Sequence, residues 1–178
     1  MRLFAALPIP DAVARPLLGV QHGVPGAKWR PRENLHITLA FYGDTPPVLA
    51  DELELELERI SMAPLQLRLG EAGFFGHRKP RSLWMGLRTN PALDALAGAC
   101  RKAAGRIGQM PAHKRYVPHI TLAYCKGTTA ADAARFCQRE AAFTLPAFAV
   151  ERFVLYQSLL GKDIARYHAI GDYKLNGV

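Results

Sequence analysis

Two histidines in this chain stand two positions ahead of a threonine, and their surroundings match. His36-Ile37-Thr38-Leu39-Ala40-Phe41 recurs as His119-Ile120-Thr121-Leu122-Ala123-Tyr124, with five residues identical and the sixth aromatic. An imidazole with an ordinary pKa near ~6.5 takes either protonation state close to neutral pH, so a pair supplies a general base and a general acid without a metal ion. The hydroxyls of Thr38 and Thr121 would donate to the non-bridging oxygens of a phosphate as its charge grows. Phosphodiester cleavage needs this equipment. A single His-x-Thr would be an ordinary half-exposed strand segment. Its repetition 83 positions further along a basic chain carries the reading. On residue types alone the two histidines are interchangeable. Neither has a second His, Cys or acid at ligand spacing nearby, so no metal is expected.

The motifs call for strands. In a strand alternate side chains share a face, so His36, Thr38 and Ala40 point one way and Ile37, Leu39 and Phe41 the other, and the second copy repeats the division. Strict alternation sends Phe41 and Tyr124 into the core and keeps Ala40 and Ala123 beside the polar pair as space-leaving residues. Periodicity and turn signals predict strands over 2–7, 35–42, 65–69, 82–87, 119–124, 147–155 and 167–175. Helices are predicted over 11–20, 47–60, 92–107 and 131–140, and a basic loop over 70–81. Leu53, Leu55 and Leu57 alternate with acids at period two. The strong helix formers around them and the lack of turn residues still favour a helix with a solvated acidic face. Without a regular strand-helix repeat, the class is α+β with antiparallel sheets, in one domain spanning 1–178.

Composition sets the outer limits. The 178 residues are 49% apolar and 21% charged, as in an ordinary globular protein. Lys and Arg number 23 against 15 acids, a formal charge of +8 that draws polyanions, although charge alone equally serves solubility. Cys100, Cys125 and Cys137 show no Cys-x-x-Cys spacing, which argues against a disulfide framework or zinc knuckle and for a reducing cytoplasm. The apolar stretch 3–10 is short and broken by prolines, and no long apolar run follows, so neither a secretory signal nor a membrane span is expected.

These residues carry a resemblance that runs nearly end to end. The opening Arg2-Leu3-Phe4-Ala5-Ala6-Leu7, the approach Trp29-Arg30-Pro31-Arg32-Glu33-Asn34-Leu35 before His36, and Gly73-Phe74-Phe75 through Arg81-Ser82-Leu83-Trp84-Met85-Gly86 are similar to a known family, as are Val117-Pro118-His119-Ile120-Thr121-Leu122 and Ala165-Arg166-Tyr167-His168. The chain resembles the bacterial and archaeal RNA 2',3'-cyclic phosphodiesterases of the two-histidine (2H) phosphoesterase superfamily, historically called 2'-5' RNA ligases. The resemblance implies a bilobal, pseudo-symmetric α+β fold, two antiparallel sheets flanked by helices, with one motif from each lobe facing a central cleft. It implies hydrolysis of a terminal 2',3'-cyclic phosphate on RNA to a 2'-phosphomonoester and a free 3'-hydroxyl. His36 would protonate the departing oxygen, His119 would deprotonate water, and Thr38 and Thr121 would hold the phosphate. Members often have Arg directly after the second motif, where this chain has Tyr124. Arg115 and Lys126 are the candidates to replace its charge, and Phe41 and Tyr124 are candidates to stack on the terminal base.

The remaining features read as ordinary structure. His77, Arg78, Lys79 and Arg81, with Arg30, Arg32, His113, Lys114 and Arg115, would track an RNA backbone or simply solvate loops. Trp29 and Trp84 read as core, and His22, His113 and His168 lack motif context. Gly70-Glu71-Ala72-Gly73 matches no phosphate-binding or dinucleotide fingerprint, so no cofactor is expected. The expected protein is a cytoplasmic monomer with RNA as partner. A 2'-5' RNA ligase, a small cyclic-nucleotide phosphodiesterase and a non-catalytic RNA-binding protein are the alternatives.

Overall fold

The structure, a computed structural model, describes residues 1–109, 115–161 and 164–177. In chain order the elements are β1 (Arg2–Pro8), α1 (Asp11–Gly19), β2 (Ala27–Trp29), β3 (His36–Asp44), α2 (Pro47–Glu58), β4 (Leu65–Leu67) and β5 (Leu69–Phe75). They continue with β6 (Ser82–Leu87), α3 (Pro91–Arg106), β7 (His119–Cys125), α4 (Ala130–Arg139), β8 (Phe148–Val150), β9 (Arg152–Leu159) and β10 (Arg166–Lys174). The α+β class with antiparallel sheets is the observed one.

One half-sheet runs β10-β9-β1-β3 and the other β7-β6-β5, with β2 added beside β7, while β4 and β8 form a separate two-stranded sheet. The two half-sheets meet at one paired position, Ile37 opposite Ile120. Those are equivalent residues of the repeated motif, so a pseudo-two-fold axis passes between them. An antiparallel register centred there sets His36 toward Thr121 and Thr38 toward His119, all on the face opposite the two isoleucines.

The other face is core. Ile37, Leu39, Ile120 and Leu122 are buried, and α3, which links β6 to β7 of one half, packs against β3 of the other and against α2. This crossing helix offers Leu93, Leu96, Ala97, Cys100 and Ala104 at helical spacing. Asn90 caps it by accepting from the Leu93 N–H at 3.0 Å. In α2, Leu53 and Leu57 are fully buried while Leu55 is 60% exposed, the i, i+4 pattern of a helix. One of its acids, Glu56, is paired with Arg59 and Arg106. Thr129 and Asp132 form a capping box that starts α4.

The predicted loop over 70–81 is a strand in its first half, since β5 runs to Phe75 and pairs with β6. In that strand Gly73 is there for packing. A Cβ on Gly73 would come within 2.2 Å of the Trp84 indole, which lies across the strand at that point. Gly73→Ala should therefore lower stability by about 1–3 kcal/mol, the usual cost of overpacking, read as an earlier midpoint in urea. A midpoint at the wild-type value would show that the indole is not wedged against β5.

Candidate active site

Strict alternation fails at the same step of both motifs. In β3, Ala5 pairs with Ala40 but Ala6 pairs with Thr38, leaving Leu39 as an extra residue. In β7, Leu83 pairs with Ala123 but Trp84 pairs with Thr121, leaving Leu122 extra. Each is a β-bulge, which advances the strand by one residue and swaps the faces beyond it. Ala40 and Ala123 are consequently buried, while Phe41 and Tyr124 are 46% and 51% exposed and line the cleft beside the histidines. The expectation for these four residues is reversed, because alternation presumes an unbroken ladder.

Each imidazole is fixed in the same way. His36 Nδ1 lies 2.8 Å from the Asn34 carbonyl oxygen, and His119 Nδ1 lies 2.6 Å from that of Val117. A carbonyl only accepts, so Nδ1 carries the hydrogen in both rings and Nε2 holds the free lone pair in the neutral form. His36 Nε2 sits 3.1 Å from Thr38 Oγ1, close enough to accept from its hydroxyl. The Thr38 carbonyl in turn accepts from the Tyr116 hydroxyl at 3.1 Å.

Aromatic rings wall the imidazoles in. Phe4 and Tyr167 stand 5.0 and 5.3 Å from His36, and Phe75 and Trp84 stand 4.9 and 5.9 Å from His119. Trp84, expected in the core, is half-buried and forms part of the wall behind His119. Desolvation by these walls pushes His36 down to about 4, helped by the positive charges of His119 and Arg30 and opposed by the Asn34 hydrogen bond. Burial also lowers His119, against its hydrogen bond to Val117. Both shifts favour the neutral imidazoles.

The histidines and threonines share a cavity of about 560 Å³ with Arg2, Arg30, Phe41 and Tyr124. A neighbouring space of about 650 Å³, continuous through Thr38, Phe41, His119 and Tyr124, adds Arg81, Arg101, Arg115 and Tyr116. Neither space has an Asp or Glu among its described lining residues. Arg115 is thus placed at the cleft. Lys126, beyond the end of β7, lines neither space, and its backbone N–H donates to the Gly26 carbonyl. Arg32 is committed to Asp11 and the Ile9 carbonyl, and His113 and Lys114 lie outside the described residues. Among the described residues no three His, Cys, Asp or Glu side chains gather as a metal site. No described helix is long and apolar enough to cross a membrane.

Sequence reasoning about chemistry missed Arg2, Phe4, Phe75 and Tyr167. They come from neighbouring strands without a motif of their own, and the similarity of the segments holding Arg2, Phe4, Phe75 and Tyr167 was the available signal.

A bilobal antiparallel fold with paired His-x-Thr motifs across a pseudo-dyad defines a two-histidine phosphoesterase. The model of the 2'-5' RNA ligase superfamily matches residues 9–162, and the chain belongs to that superfamily. It is 32% identical to an RNA 2',3'-cyclic phosphodiesterase of Escherichia coli K12, over 98% of this chain and 96% of the relative. A Geobacillus stearothermophilus protein of the same name is also 32% identical over 98% of this chain, which spans 57% of that relative's length. The crystal structure of E. coli LigT complexed with 3'-AMP superimposes with a TM-score of 0.80 at 28% identity, covering 98% of each chain.

An anion between the imidazoles favours their charged forms and raises both pKa values. A group with a low pKa when free and a higher one when bound takes up a proton on binding. Sulfate, whose own charge is constant in this range, should bind more tightly as pH falls from 8 to 5, by up to about tenfold per unit for each proton taken up. Calorimetry across that range checks this, and a pH-independent affinity would contradict it.

Proposed function

We propose that this phosphodiesterase opens the 2',3'-cyclic phosphate end of RNA, leaving a 2'-phosphomonoester and a free 3'-hydroxyl, by acid-base catalysis between His36 and His119 without a metal. The observation that carries the reading is the matched pair of imidazoles, each tied at Nδ1 to a carbonyl and each presenting Nε2 to one arginine-lined cavity. The activity named for the relatives supplies the substrate, and the 3'-AMP bound by E. coli LigT is a ribonucleotide with its phosphate on the ribose.

In the proposed reaction, water attacks phosphorus as one neutral Nε2 takes its proton. The bond from phosphorus to O3' breaks, and the other, protonated Nε2 gives its proton to the departing oxygen. The resemblance makes His36 the acid and His119 the base, an assignment that the near-symmetric site leaves to the family likeness. The acid's proton is taken up from solvent on substrate binding, since the phosphate raises the pKa of the imidazole that it contacts. Thr38 and Thr121 donate to the non-bridging oxygens. The terminal base lies against Phe41 or Tyr124, rings that the bulges turn into the cleft.

An oligoribonucleotide with a 2',3'-cyclic phosphate, incubated with the protein in EDTA, should yield a 2'-phosphate end. His36→Ala and His119→Ala should each lower kcat by about 100- to 10,000-fold. Cleavage abolished by EDTA, or either variant cutting at the wild-type rate, would refute the mechanism. Phe41→Ala should raise KM about 5- to 100-fold if a base stacks there, whereas an unchanged KM would place the base elsewhere.

A further inference from the structure

Most arginines placed by polar contacts here have an acid: Arg32 has Asp11, Arg139 has Glu140, and Arg152 has Asp172. Arg30 does not. It follows β2 directly and is only 6% exposed, and its Nη2 is buried without a hydrogen-bond partner among the described residues. A guanidinium nitrogen withdrawn from water without a partner is costly, and such a group persists where something else completes it. Its position is held from several sides. The Arg30 N–H donates to the Leu122 carbonyl at 2.8 Å, and its own carbonyl accepts from Gln21 Nε2 at 3.0 Å. The guanidinium carbon lies 5.0 Å from the centre of the Tyr124 ring, a cation-π distance.

The same side chain lines the cavity that holds both histidines and both threonines. It is close enough for its charge to act on His36. The arrangement has a counterpart across the pseudo-dyad, where the Arg2 guanidinium lies 5.2 Å from the ring of Phe41. Arg2 is exposed, so of the two it is Arg30 whose solvation is missing.

We propose that Arg30 is the guanidinium that grips the phosphate in this cleft, with Tyr124 as the platform that aims it. This rests on the phosphodiesterase reading and adds a residue outside both motifs. It also accounts for the aromatic residue at position 124. The charge that relatives often carry directly after the second motif is supplied here from the end of β2, through the ring that occupies the vacated position. A guanidinium offers parallel donors to two phosphate oxygens, which an ammonium in the same place cannot match.

The test measures inorganic phosphate binding at fixed pH by calorimetry, so that it needs no turnover. Arg30→Met keeps the apolar stem and removes the charge. It should weaken phosphate binding about 10- to 100-fold, the worth of hydrogen bonds to a charged group, and let the His36 imidazole titrate higher. Arg30→Lys should lie between Arg30→Met and wild type. In the double variant Arg30→Met/Tyr124→Arg a guanidinium returns from the other residue, and most of the lost affinity should return with it. If Arg30→Met does not fold, Arg30→Gln is compared with wild type in the same way.

The proposal is overturned if folded Arg30→Met or Arg30→Gln binds phosphate as wild type does. It is equally overturned if the folded double variant binds no better than Arg30→Met, because the loss would then be structural. A protein that binds phosphate through Arg30 yet leaves cyclic ends uncut would refute the proposed activity and leave this assignment standing. One that cuts them, with an Arg30→Met variant of wild-type phosphate affinity, would do the reverse.

Discussion

Everything at this site depends on the pairing of Ile37 with Ile120. Two half-sheets that otherwise share no ladder are joined at equivalent residues of a repeated motif. The period of two then places both imidazoles and both hydroxyls on the opposite face. A slip of one residue in either strand would turn that strand's imidazole into the core, so the buried isoleucine and leucine faces specify the active geometry as much as the fold. Packing of α3 from one half against β3 of the other reinforces the same junction.

The second constraint is electrostatic. Aromatic walls remove water from the imidazoles and favour their neutral forms, while the arginines around them meet no carboxylate among the described lining residues. The cleft is therefore positive, which favours an anion. Carbonyls at Asn34 and Val117 fix the tautomer, so the nitrogen facing that anion is the same in both rings. The proposed reaction uses such a pair, one imidazole kept neutral as the base and the other protonated beside the bound phosphate.

The two halves of the site differed in how legible they were. The repeated His-x-Thr string, the α+β class and the motif strands could be read because periodicity is local. The bulges at Leu39 and Leu122 could not, since they appear only as offsets against the neighbouring strands β1 and β6. The fates of Phe41 and Tyr124 were hidden for that reason, as was the burial of Ala40 and Ala123. Gly70 and Gly73 resembled a loop because glycine marks turns more often than it makes room for a neighbouring backbone, as Gly70 does, or an indole, as Gly73 does. Arg30 looked like one more surface cation, and its burial and the lack of an acid partner distinguish it from Arg32 two positions on, which is paired with Asp11.

The central claim is that the two imidazoles across the pseudo-dyad serve one anion. Nitrogen-15 NMR of the histidine side chains during titration with a 2'-phosphorylated oligonucleotide tests it most directly. The Nε2 resonances of His36 and His119 should both move toward the protonated position along one binding curve, while both Nδ1 atoms keep their hydrogens. Movement of one ring alone, or two curves with separate dissociation constants, would contradict the account.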